Sequence, residues 1–146
     1  MDKKIHFEIV TPERTVYKDE VDEIILPTKM GEIAILPNHV PLVAVLKAGE
    51  LRVKKGKEEI PMAVSGGFIE VQKNKVVVLA DSAEHVHEID EQKAEEARAK
   101  AQELLKTKQD EEDFAAVSAL LEKELARLKV ARKYPKHSHR GGTLPE

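Results

Sequence analysis

No glycine or proline occurs from residue 88 to residue 134, whereas residues 3–80 are cut by turn-forming clusters every few positions. Turn residues bound short strands, and their loss over more than forty positions admits only long helices. The chain is therefore expected to be α+β, with strands first and helices after about residue 88.

In the first part Ile5, Phe7 and Ile9 alternate with His6 and Glu8, the period of a strand with one buried face. Further strands are expected at 21–26, 32–36, 41–46, 50–54, 59–64, 68–72 and 75–80. The connections LysMetGly, ProAsnHis, LysAlaGly, LysLysGlyLys, SerGlyGly and LysAsn read as turns. Short, evenly spaced strands favour an antiparallel sandwich or flattened barrel. Parallel pairing would require helical crossovers, which this part lacks.

In the second part Ala94, Ala97, Ala101, Leu104 and Leu105 fall three and four apart, one stripe of a helix capped by Asp90. After a polar break, Phe114, Val117, Leu121, Leu125 and Leu128 form the stripe of a second helix beginning near Glu112. Two helices across a short link make an antiparallel hairpin. An alanine stripe lets them approach closely but buries little area, so the hairpin has a marginal hold. The expected division is a β-sandwich over 1–87, a helical arm over 88–133 and a loose tail over 134–146, with separate cores for the first two.

Charge is uneven. Residues 88–113 carry ten acids against five bases, and residues 123–140 carry seven bases against Glu124 alone. Acids early and cations late suit the helix dipole, and a basic end also suits an acidic partner. The net charge of -3 and aromatic content of 3% argue against nucleic acid as a partner. With no cysteine there is no disulfide, thiol nucleophile or thiolate metal site. No apolar run approaches the roughly 20 residues that span a bilayer, so a cytosolic chain is expected.

Motifs for covalent or phosphoryl chemistry are absent, since SerGlyGly at 65–67 lacks the form of a phosphate-binding loop. His39, in the Pro37–Pro41 bracket, has no base or nucleophile within sequence reach and reads as a turn or contact residue. His85 and His87 form an HxH pair near Asp81 and Glu84, short of the three converging ligands of a catalytic zinc site. The residues describe a binding module with a mobile helical arm. A small barrel enzyme using His39, His85 and His87 around a metal, and a scaffold whose hairpin recruits helical partners, stay open as rivals.

The stretches GEIAILPNHVPLVAVLKAGELRV, AVSGGFIEV and KVVVLADSAE, followed by an acidic helix led by Ile89 and Asp90, resemble the epsilon subunits of bacterial F-type ATP synthases. The resemblance runs from about residue 4 to 130. It implies a ten-stranded β-sandwich with a two-helix arm, fixed to gamma and seated on the rotor c-ring of a complex at the cytoplasmic side of the cell membrane. It implies no catalysis by the chain itself and no required cofactor. Glu32 would face the ring and His39 gamma. The arm would fold on the sandwich or extend to the alpha/beta catalytic head, where Arg127 and Arg132 meet acidic segments and brake hydrolysis. Some family members bind a regulatory ATP on the folded arm. Here the matching positions are Ile89, Asp90, Lys93 and Ala94 on the first helix and Lys123 and Arg127 on the second. Lysine at 93 and 123 replaces the family's arginines, which keeps charge but loses the planar fork, so weak binding is expected.

Overall fold

The structure, a computed structural model, describes residues 3–107 and 110–135. The tail expected from 134 lies outside the described residues from 136 onward.

Eight strands come first: β1 (Ile5–Val10), β2 (Thr15–Val21), β3 (Glu23–Thr28), β4 (Gly31–Ile35), β5 (Leu42–Val45), β6 (Gly49–Lys55), β7 (Glu58–Gln72) and β8 (Lys75–His85). A 3-10 turn (Val86–Glu88) leads to α1 (Glu91–Leu105) and α2 (Glu111–Lys133). Pairing runs β2-β1-β8-β7-β6-β3-β4, with β5 on β7. Residues 58–64 of β7 pair with β6, and residues 68–71 pair with β5. The long β7–β8 hairpin is thus shared by the two layers of the sandwich. The alternating positions Ile5, Phe7, Ile9, Ile24, Leu26, Leu51, Val53, Ile69 and Val78 fill the core between them.

Three expectations about the strands need correction. SerGlyGly is not a turn: Ser65 stays opposite Ser82 and Gly67 opposite Ala80, so the ladder keeps one register through the bend. Gly67 has φ +122°, and a Cβ there would stand 1.9 Å from the carbonyl oxygen of Leu79. Glycine permits the close approach that lets one strand serve both layers. Among the described residues the ten implied strands are for this reason eight continuous ones. An unexpected strand, β2, lies at the sheet edge, where Lys18, Asp19 and Glu20 hide its pattern. Finally, β1 and β8 pair in parallel. They come from opposite ends of the sandwich, so its other strands serve as the crossover.

Asp90 caps α1, its carboxylate accepting the Lys93 amide at 3.1 Å. Asp110 caps α2 through the Asp113 amide at 2.8 Å. Ala94 and Ala101 are fully buried, as their stripe requires. The second stripe is met in part. Phe114 and Leu125 are exposed and Val117 and Leu121 half-buried, whereas Leu128 is buried as expected, together with Glu124, Ala126, Val130 and Ala131. Its last two turns rest on the sandwich, with Val130 and Ala131 against Ala63 and Ile89, flanked by Val86 and Tyr134. The main core lies wholly before residue 88, and this second, smaller apolar cluster joins the arm to the sandwich across that position.

Candidate functional site

Strand register builds a platform beneath the end of α2. Glu50 of β6 stands opposite Ala63 of β7, and Ala63 stands opposite Glu84 of β8. Onto these acids α2 lowers its cations. Arg127 donates from Nη2 to Glu84 at 3.2 Å and from Nη1 to Glu124 at 2.7 Å. Its Nε lies 2.8 Å from the second Glu84 oxygen. Lys133 donates to Glu50 at 2.9 Å, and the Tyr134 hydroxyl donates to the other Glu50 oxygen. Arg132 turns the other way, to Glu91 at 2.9 Å and Glu95 at 3.1 Å on α1.

These pairings explain the electrostatics. Burial alone would lower the Arg127 pKa, but the hydrogen bond to Glu124 and the charge of Glu84 outweigh it and hold the guanidinium above its ordinary value. Hydrogen bonds to Glu91 and Glu95 raise Arg132, and the bond to Glu50 raises Lys133. For Tyr134 burial is the main cause, and Glu50 adds to it, so the phenol is raised too. Each cation is held in its charged form by an internal acid.

The six residues expected at a nucleotide site fall into two groups. Ile89 is fully buried in the shared cluster, Ala94 is buried on α1, and the Asp90 carboxylate caps that helix. Lys123 lines a cleft with Arg14, Ser82 and Glu84, one turn from Arg127. Lys93 is exposed. No hydrogen bond or ion pair among the described residues joins Asp90 or Lys93 to Lys123 or Arg127. A polyphosphate here would have to share Arg127 with Glu84 and Glu124, while Lys123 and Lys93 could offer charge. The residues fit weak anion binding.

Of the two expected docking residues, Glu32 is exposed, with Arg52 at 3.6 Å. His39 is half-buried, its ring bonded through Nδ1 to the carbonyl of Val40 at 2.6 Å. His85 and His87 stack on each other, their ring centroids 5.4 Å apart, at the junction with the arm. No three metal-binding side chains converge among the described residues, so the histidines of the rival enzyme are not gathered into one site. Sequence reasoning missed Glu50, Glu84 and Tyr134. The available signal was Arg127, Val130, Ala131 and Tyr134 at i, i+3, i+4 and i+7, a docking stripe too polar for a search by hydrophobicity.

Residues 4–86 match the family profile described as ATP synthase, Delta/Epsilon chain, beta-sandwich domain, and residues 87–132 match its long alpha-helix domain. The chain belongs to the ATP synthase epsilon chains. It is 50% identical to the epsilon chain of Chloroflexus aggregans over 128 residues, covering 88% of this chain and 92% of that one. Identity to the Dehalococcoides mccartyi (strain BAV1) epsilon chain is 48% over 135 residues, 92% and 96% of the two. The fold is also similar to a chain of the Euglena gracilis mitochondrial ATP synthase solved as OSCP/F1/c-ring, with a TM-score of 0.75 at 24% identity, covering 90% of this chain and 82% of that one. A chain of the Tetrahymena thermophila central stalk and c-ring gives 0.65 at 14% identity, covering 89% and 98%. An epsilon chain is a structural and regulatory subunit of the ATP synthase and is not itself catalytic. In this one, no helix among the described residues is long and apolar enough to cross a membrane.

Proposed function

We propose that this epsilon chain couples the rotor c-ring to gamma in the central stalk of an F-type, proton-translocating ATP synthase at the cytoplasmic side of the cell membrane. Its helical arm restrains ATP hydrolysis when it leaves the sandwich and brings its basic end to the alpha/beta head. Glu32 serves the ring face and His39 the gamma face, and Arg127 and Arg132 serve the head.

The observation that carries this reading is the masking of the basic end. In the compact arm Arg127, Arg132 and Lys133 are all engaged by internal acids. An acidic partner competes for the same side chains, so the compact and extended arms differ by an exchange of ion pairs and a small apolar contact. Such packings lie only a few kcal/mol apart. A regulatory ATP at Ile89, Asp90, Lys93, Ala94, Lys123 and Arg127 biases the exchange toward the compact arm, because those positions approach one another only when the helices are paired.

The test is hydrolysis by the reconstituted complex with the full chain and with residues 88–146 removed. Faster hydrolysis without the arm is expected. Equal rates, with the shortened subunit still assembled, would contradict the brake.

A further inference from the structure

Directly paired residues of antiparallel strands point to the same face. Glu50, Ala63 and Glu84 therefore form one row across β6, β7 and β8. The row spans two inter-strand spacings, about 9.6 Å. Along α2, the six steps from Arg127 to Lys133 rise about 9 Å. The spans match, so each outer carboxylate meets a cation while Val130 and Ala131 settle on the alanine between them. Alanine at 63 is what lets the helix come down, because a larger side chain would hold both cations off the acids. Glu50 and Glu84 are sheltered, their side chains 11% and 22% exposed.

Arg132 and Arg98 do not act this way. Arg132 reaches Glu91 and Glu95, and Arg98 reaches Glu95, so these pairs join the arm to itself. Arg127 with Glu84, and Lys133 and Tyr134 with Glu50, join the arm to the sandwich.

We propose that the Glu50–Ala63–Glu84 row is a two-pronged latch whose strength sets how readily α2 leaves the sandwich. The proposal rests on the reading of the arm as a mobile brake and assigns its release point. Opening the latch unmasks Arg127 and Lys133 together, so the side chains that hold the compact arm become those offered to an acidic partner. Glu124 travels with Arg127 on α2, and Glu84 stays behind.

Hydrogen exchange on the full-length chain tests the latch. Amides 124–133 should exchange roughly tenfold faster at low salt in the Glu50→Gln, Glu84→Gln double variant, as local opening becomes easier. The amides of β1 and β8 should keep their protection, since glutamine preserves shape. Lys133→Met should add little to Glu50→Gln, because both remove one contact. In the wild type, added salt should speed exchange in 124–133 and leave β1 unchanged. Unaltered exchange in the double variant, independent effects of Lys133→Met and Glu50→Gln, or a wild-type arm indifferent to salt would each overturn the latch. The double variant should also slow hydrolysis in the reconstituted complex. A loosened α2 with unchanged hydrolysis would keep the latch and overturn the brake.

Discussion

Arg14, in the turn between β1 and β2, donates from Nη2 to both carboxylate oxygens of Glu88, at 3.0 and 3.1 Å. The first turn of the sandwich thereby grips the last residue of the junction with the arm. Glu88 also accepts the amide of His85 at 2.9 Å, which closes the 3-10 turn on itself. The start of α1 is aimed by these bonds.

Acid should loosen that junction. Burial pushes the Glu88 carboxyl up, but the hydrogen bonds from Arg14 and the His85 amide prevail and hold it below its ordinary value. With the folded value depressed, the stabilisation is complete above the ordinary carboxylate range, about 4. It is lost as pH falls through the lower, folded value. Amide exchange at residues 85–89, corrected for intrinsic rates, should rise in acid, and Arg14→Ala should flatten that rise. An identical acid response in Arg14→Ala would remove Arg14 from the junction.

Gly67→Ala should damage the sandwich far more than Gly56→Ala. The added methyl at 67 meets the Leu79 oxygen at 1.9 Å and the Ala80 Cα at 2.9 Å, whereas nothing lies within 4 Å at 56. Both glycines have positive φ. Left-handed backbone alone costs about 1 kcal/mol, so Gly56→Ala should lose that much in urea unfolding. Gly67→Ala should lose at least about 3 kcal/mol, strain and overlap together. Equal losses would mean that the bend tolerates a side chain.

Nucleotide binding should separate Lys123 from Arg127. Arg127 compensates Glu124, whose side chain is only 4% exposed. Arg127→Ala should therefore weaken ATP binding and also cost about 3 kcal/mol in the docking of α2, because it strands a buried carboxylate. Asp90→Ala should weaken binding as well. Lys123→Ala should reduce affinity with little effect on stability, and arginine at 93 and 123 should raise affinity through the planar fork. Calorimetric titration with ATP, beside thermal unfolding, measures both. If Lys123→Ala and Asp90→Ala bind as wild type does, no such site exists.

What could be read from the sequence followed from simple periods. Alternation found β1, and alanine spacing found the buried Ala94 and Ala101. Residues 58–72 read as two strands because glycine usually marks a turn, whereas here Gly67 allows close strand approach. The stripe of α2 is met in part: Leu128 is buried and Val117 and Leu121 are half-buried. Phe114 and Leu125 are exposed at 52% and 47%, and the docked face is built from small residues and a paired arginine. Pairing across 43 and 83 positions, as in Arg127 with Glu84 and Lys133 with Glu50, leaves no periodic trace.

Hydrolysis by the reconstituted complex is the most direct measurement of whether the basic end is the brake. The comparison is between the wild-type subunit and one in which Lys123, Arg127, Lys129, Arg132 and Lys133 are replaced by glutamine, at low salt, where charge contacts are least screened. The account predicts faster hydrolysis with the neutralised subunit and a smaller difference as salt is raised. The same rate from both complexes at low salt would contradict it.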